Sequence, residues 1–140
     1  MLATEPQWCI VTSLVENTFR FPNTRYGLTR EFNCGLTVFL TVNPKPNGEP
    51  GELFVKCGKE GSTISGLMQA WVVTISAALQ RGVPWDELRE KYLATRFDPQ
   101  TVEYSSIVDV VARNIDDLRD DLKELVRERT GQKVLDFNGT

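Results

Sequence analysis

Residues 53–80 read LFVKCGKEGSTISGLMQAWVVTISAALQ, and one change of period inside them decides the fold. Up to Cys57 the apolar residues fit a strand. Beyond it Ile64, Leu67, Met68, Trp71, Val72, Ile75, Ala78 and Leu79 fall at three- and four-residue steps, the spacing of a helix. Between the two lies Gly58-Lys59-Glu60-Gly61-Ser62-Thr63, a glycine-flanked turn in which Ser62 or Thr63 suits the N-cap. Gly82 stands where a glycine just past the last turn closes a helix. No charged residue occurs from Ile64 to Gln80, which predicts burial over most of the helix's circumference, against the sheet and a second helix or subunit.

Upstream, Tyr26, Leu28 and Phe32 are spaced to share one face of a strand. Asn33-Cys34-Gly35 supplies a tight turn, and Thr37 to Val42 alternates again. Asn43 to Gly51, with prolines at 44, 46 and 50, reads as an exposed, stiffened hairpin loop because proline donates no ladder hydrogen bond. Leu53 to Cys57 then completes a three-stranded antiparallel meander. The first twenty residues fit either a strand or a helix, with β-branched content favouring a strand.

Downstream, Val83-Pro84-Trp85-Asp86 opens a shorter helix running to about Ala94, with Trp85 as its anchor. Arg96 to Tyr104 is a loop broken at Asp98-Pro99. A long last helix, about 106–130, opens with Ser106 and Asp109 at capping-box spacing. It closes at Gly131, with Arg127 and Arg129 favourably placed for the helix dipole, before a loosely ordered tail. Its stripe Val111, Ile115, Leu118, Leu122 and Leu125 packs on its own domain or on a second subunit. The expected architecture is α+β: a small antiparallel meander of about three to four strands on a buried helix, a short helix and a long C-terminal helix. A chain of 140 residues is one domain's worth, 1–140, with its core at about 25–97.

The absence of histidine excludes Ser-His-Asp and Cys-His nucleophiles, His-ligated zinc and His general bases. Cys9, Cys34 and Cys57 are scattered and form no Cys-x-x-Cys pair, which points to buried thiols in the reducing cytoplasm. Sixteen basic against nineteen acidic residues leave a net charge of −3, which argues against a duplex nucleic-acid partner but allows a local basic pocket. No apolar run approaches the ~20 residues needed to cross a membrane. Neither a metal nor a cofactor is expected. Catalysis would have to rest on carboxylates, Lys, Tyr or Cys, with Cys34 or a carboxylate pair as the candidates, and no feature marks a perturbed group, so a binding role leads.

The first candidate for that role is the turn itself. Gly58 and Gly61 let a ligand approach the backbone, Ser62 and Thr63 add hydroxyls, Lys59 adds charge, and free N–H groups at a helix start attract phosphate. The same residues equally describe an ordinary capped turn, and they do not match the phosphate-loop pattern because the lysine precedes the second glycine. The second candidate is the cluster Arg20, Arg25 and Arg30, with Tyr26, Phe32 and Phe39 as nearby aromatics. Arginine suits phosphate and stacks on bases, although Arg25 and Arg30 point to opposite faces of a regular strand and such charges also keep edge strands soluble. The acidic run Asp116, Asp117, Asp120 and Asp121, interleaved with Arg119 and Lys123, reads as a solvated helix face.

Leu28-Thr29, Cys34-Gly35 leading into Thr37 to Asn43, Gly48-Glu49-Pro50, Leu53-Phe54-Val55, Gly58 to Ser62 and the helix ending Leu79-Gln80-Arg81-Gly82-Val83 together resemble the TSCPD domain, as does Tyr104 to Asp109. That domain is best known as a C-terminal module of adenosylcobalamin-dependent ribonucleotide reductases, and here it looks free-standing, like a phage-encoded copy. Thr63 and Phe97 stand where family members usually carry cysteines, so metal or redox roles resting on those cysteines do not transfer. Reductase chemistry does not transfer either, since its radical-bearing barrel could not fit in this length.

The resemblance implies an accessory or regulatory module near nucleotide metabolism, or, in a virus, a protein that sequesters a nucleotide signal. The expected ligand is a nucleotide or another phosphate-bearing small molecule, held by Gly58, Lys59, Gly61, Ser62 and Thr63 with Arg25 or Arg30, its base on Tyr26. The alternative is a homo-oligomeric interaction module, assembling through helices 64–80 and 107–129, with no small-molecule ligand.

Overall fold

The computed structural model of the chain describes residues 18–97 and 105–138. The reading of the N-terminal stretch before Thr18, and the break at Asp98-Pro99, lie outside these residues. The elements run β1 (Leu28–Asn33), β2 (Thr37–Pro44), β3 (Pro50–Cys57), α1 (Thr63–Gln80), α2 (Trp85–Tyr92) and α3 (Ile107–Asn138). The strands form an antiparallel meander in the order β1-β2-β3. Its register sets Leu28 opposite Val42, Phe32 opposite Val38, Val38 opposite Cys57 and Leu40 opposite Val55. Alternation therefore puts Val38, Leu40, Val42, Leu53, Val55 and Cys57 on one buried face. The other face carries Thr29, Phe39, Thr41 and Phe54, with Phe39 and Phe54 exposed.

On the buried face α1 contributes Met68, Val72, Ile75 and Leu79, while α3 contributes Val111, Ile115, Leu118 and Leu122. The α3 stripe is thus used within its own domain. The Ser62 hydroxyl accepts the Ser65 N–H at the start of α1. At the other end Val83 N–H reaches Ala78 O and Gly82 N–H reaches Leu79 O, the paired bonds of a Schellman motif closed by Gly82 at φ 98°. Helix α1 lies along the outer edge of β3. The Ser76 hydroxyl accepts the Leu53 N–H at 2.9 Å, and the Gln80 amide donates to Gly51 O at 3.2 Å, so that edge is covered. The expectation that α1 is buried on most of its circumference is corrected: Leu67 and Val73 are 63% and 66% exposed. A run without charge is not a run without a solvent face, because Gly66, Ala70 and Thr74 turn outward as readily as charged residues.

The proline-rich loop is also not the exposed hairpin expected. β2 runs on to Pro44, where the register shifts, and β3 starts at Pro50, leaving only residues 45–49 as the turn. Lys45 N–H bonds to Glu49 O and Gly48 N–H to Lys45 O, with Gly48 at φ 86°. The turn is pinned to α3, where Arg119 meets Glu49 at 3.0 Å and the α3 side chain Lys123 packs over Gly48. Helix α2 ends at Tyr92, short of the expected Ala94, which adopts φ 64° in a left-handed turn. Its Trp85 is an anchor as expected, 2% exposed, with the indole N–H donating to Asp116 at 2.8 Å.

Asp109 organises the start of α3. Ser106 Oγ accepts the Asp109 N–H at 3.0 Å, the first half of the expected capping box. The carboxylate accepts from Ala94 N–H at 2.8 Å, Ser105 N–H at 3.0 Å and Arg113 Nε at 3.1 Å. Burial pushes its pKa up, but the two backbone N–H groups and Arg113 outweigh burial and hold it below the usual carboxylate range. Helix α3 does not stop at Gly131 but continues to Asn138, through a glycine that does not take the positive φ of a stop. None of the described helices is long and apolar enough to cross a membrane.

Candidate ligand site

The Gly58–Thr63 turn exists as a strand-to-helix corner, with Gly58 at φ 64° and Gly61 at φ 83°. Lys59, Glu60, Gly61 and Thr63 are exposed, so the corner is open to solvent. Part of its donor set is used internally: Ser62 N–H bonds to Lys59 O at 3.0 Å, and the Ser62 hydroxyl is committed to the Ser65 N–H. A shallow depression beside it is lined by Lys56, Gly58, Glu60, Ser65 and Gln69, and so brings a carboxylate to the place where an anion would sit. Lys59 lines none of the described depressions.

The structure does not bring Arg25, Arg30 and Tyr26 to this corner. Cys57, which leads into the turn, is level with Val38, whereas Arg25 and Tyr26 precede Leu28, which is level with Val42 and Leu53. At ~3.3 Å per residue, the length of β3 from Cys57 to Pro50 is about 23 Å. The corner and the Arg25–Tyr26 pair therefore sit at opposite ends of the sheet. Arg30 lies between them and is occupied by α3, donating to Asn114 Oδ1 at 3.2 Å with Asp117 Oδ2 at 3.6 Å.

Arg25 and Tyr26 instead form part of a groove of about 430 Å³ between residues 19–26, the β2–β3 turn and the distal part of α3. Phe19, Phe21 and Tyr26 supply rings, Pro44 and Pro46 one wall, and Leu125 and Val126 another. Phe19 and Phe21 meet edge to face, and the Phe21 ring closes over Gly51, where an added Cβ would lie 2.7 Å from it. The charges are one-sided: Arg25, Lys45 and Arg129 line the groove, and no carboxylate does among the described residues.

Each cation is held in place. Arg25 Nε pairs with Glu52 at 3.2 Å, a buried carboxylate that also accepts from Asn43 at 2.8 Å, and its guanidinium lies over the Phe21 ring. Lys45 Nζ donates to Leu79 O at the end of α1, at 3.1 Å. The Arg129 guanidinium lies over the Tyr26 ring, its central carbon 3.2 Å from the ring centroid. Such a groove suits an anion attached to a flat apolar body: the rings and prolines take the body, and the cations at the rim take the charge.

Of the residues predicted for the site, Arg25 and Tyr26 belong to this groove, while Gly58, Lys59, Gly61, Ser62, Thr63 and Arg30 do not. Lys45, Arg129, Phe19 and Phe21 were missed. Arg129 is readable as a helix-dipole partner, and Leu125, read as the last residue of the core stripe, instead lines this groove with it. A second hollow, near Arg89, Arg113, Asp116 and Asp117, is charge-balanced and mutually paired, with Arg89 bonded to Asp116 and Arg113 to Asp109. Cys34 and Cys57 are buried free thiols whose burial pushes their pKa up, which keeps them un-ionised near neutral pH.

The family model described as the TSCPD domain matches residues 18–118. A vitamin B12-dependent ribonucleotide reductase of Rhodopirellula baltica is 39% identical over 102 residues, covering 67% of this chain and 10% of that protein. The enzyme of the same description from Streptantibioticus cattleyicolor is 36% identical over 104 residues, 69% of this chain and 17% of its own length. That from Bradyrhizobium diazoefficiens is 31% identical over 121 residues, 76% of this chain and 10% of its own length. The chain thus spans about a tenth to a sixth of these relatives. No solved structure matches it.

Proposed function

Because the chain belongs to the TSCPD family, we propose that it is a non-catalytic accessory module that binds a nucleotide-type anion, either beside a ribonucleotide reductase or, in a viral setting, as a sink for a nucleotide signal. The observation that carries this reading is the groove's composition: rings and apolar walls with three cations and no described carboxylate. A nucleotide offers the matching halves, a flat base and a charged phosphate. The end of the sheet that holds Arg25 and Tyr26 supports the reading better than the corner, where Ser62 is committed to capping and Glu60 repels anions. The non-catalytic part of the reading draws on the same inventory: no histidine in the chain, and two thiols buried in the core. The B12 and the reduction in the relatives' names belong to proteins many times longer.

Calorimetric titration with a panel of 5′-mono-, 5′-tri- and cyclic nucleotides tests the proposal. Saturable heat with at least one of them is expected, with no turnover of that nucleotide on prolonged incubation. Absence of heat across the panel refutes it. A second reading, a homo-oligomeric module without a ligand, draws on the exposed Leu67 and Val73 of the charge-free helix α1. Native mass spectrometry of protein purified from cells separates the two, since it reports subunit number and any retained small molecule together.

A further inference from the structure

Two groups at the mouth of the groove partner each other in a way that a ligand can replace. The Arg129 guanidinium is in contact with the face of Tyr26, so nothing fits between them. Tyr26 is 48% exposed, and among the described residues no carboxylate lies within ion-pair distance of Arg129. Arg25, by contrast, already has Glu52, and Lys45 has the Leu79 carbonyl. Arg129 is thus the groove's cation whose only described partner is an aromatic face, a weaker contact than an ion pair made out of water.

We propose, resting on the nucleotide-binding reading above, that the Arg129–Tyr26 stack is a clamp opened by exchange. The ligand's base takes the place of the guanidinium on the Tyr26 ring, and the released Arg129 turns to the ligand's phosphate. The exchange is favourable only when both halves arrive together. A free phosphate draws Arg129 off the ring and leaves Tyr26 bare, and a neutral nucleoside covers Tyr26 but strands Arg129 without a partner. The clamp therefore selects a base and a phosphate joined in one molecule over either alone. Because the guanidinium is planar, it serves both as the stacked partner in the empty groove and as a forked donor to phosphate, two tasks that lysine does not combine.

The test takes the tightest-binding nucleotide of the panel, its nucleoside, and ribose 5-phosphate, and titrates each into the wild-type chain, Arg129→Ala, Arg129→Lys and Tyr26→Leu. Wild type should bind the nucleotide at least tenfold more tightly than either fragment. Arg129→Ala should weaken the nucleotide about tenfold, the size of one charge-assisted contact, yet tighten the nucleoside several-fold by freeing the ring face. Arg129→Lys should fall between the two for the nucleotide. Tyr26→Leu should erase the preference over ribose 5-phosphate. Both positions are on the surface, and circular dichroism confirms that each of the three variants is folded. If Arg129→Ala moves nucleotide and nucleoside in the same direction, or ribose 5-phosphate matches the nucleotide on wild type, the exchange is wrong while anion binding stands. If no nucleotide binds, the clamp and the function it rests on fall together.

Discussion

Removing the Asp109 carboxylate should be the most damaging single polar change in the described core. Its side chain is fully buried and gathers the Ala94 and Ser105 amides with the Arg113 guanidinium, tying the end of α2 to the start of α3. Asp109→Ala leaves two partly buried N–H groups without acceptors, at roughly 1–3 kcal/mol each. It also releases Arg113, whose exposed position makes that part small. The sum is about 3–5 kcal/mol. At about 3 °C per kcal/mol for a chain of this size, Tm should fall by about 10–15 °C. Asp109→Asn keeps the shape but turns an NH₂ toward one of the amides, and should cost about 2–3 kcal/mol.

The pH dependence has a definite sign. Because the folded pKa lies below its unfolded value, the carboxylate's contribution is present in full above about pH 4–5 and fades as pH falls through the folded pKa. The gap between wild type and Asp109→Asn should therefore be largest at neutral pH and narrow in acid. Urea melts followed by circular dichroism at pH 7 and pH 3 measure it. A cost below about 1 kcal/mol for Asp109→Ala at pH 7, or an Asn penalty that does not shrink in acid, would refute this account of the clasp.

Three further outcomes are expected. Ser62→Ala should cost about 1 kcal/mol through the lost cap, while Lys59→Ala leaves nucleotide affinity unchanged; a weakened affinity for Lys59→Ala would return the ligand to the corner. Gly48→Ala should destabilise by more than about 1 kcal/mol in urea melts, because the glycine sits at φ 86° and a methyl group would lie 2.8 Å from the Lys123 side chain. Cys34 and Cys57, buried and pushed up in pKa, should resist a thiol-specific chromogenic reagent at pH 7.5 until urea unfolds the chain, as peptide mapping of the labelled sites would register.

The meander, the corner and the three helices were legible because each is written locally. Ser62 and Gly82 bracket α1 by capping chemistry, and Asn33-Cys34-Gly35 turns as read, with Gly35 N–H on the Asn33 side chain. What local pattern cannot supply is which distant residues meet. Nothing near Pro44 or Glu49 announces that Arg119 and Lys123 will hold that turn against α3. The residues expected to form one site are separated for the same reason. Basic and aromatic residues were grouped by nearness along the chain, whereas antiparallel register sends Arg25 to the end of the sheet away from Gly58 and toward Arg129. Gly131 misled in a different way: glycine permits a helix to stop without requiring it.

The groove takes its walls from residues 19–26 and 125–130, with the β2–β3 turn between them. Among the described residues the buried core ends at Leu122, just short of the groove wall at Leu125. None of the groove's lining residues therefore belongs to the buried core. Substitutions that reshape the groove can thus leave untouched the kernel that keeps the chain folded.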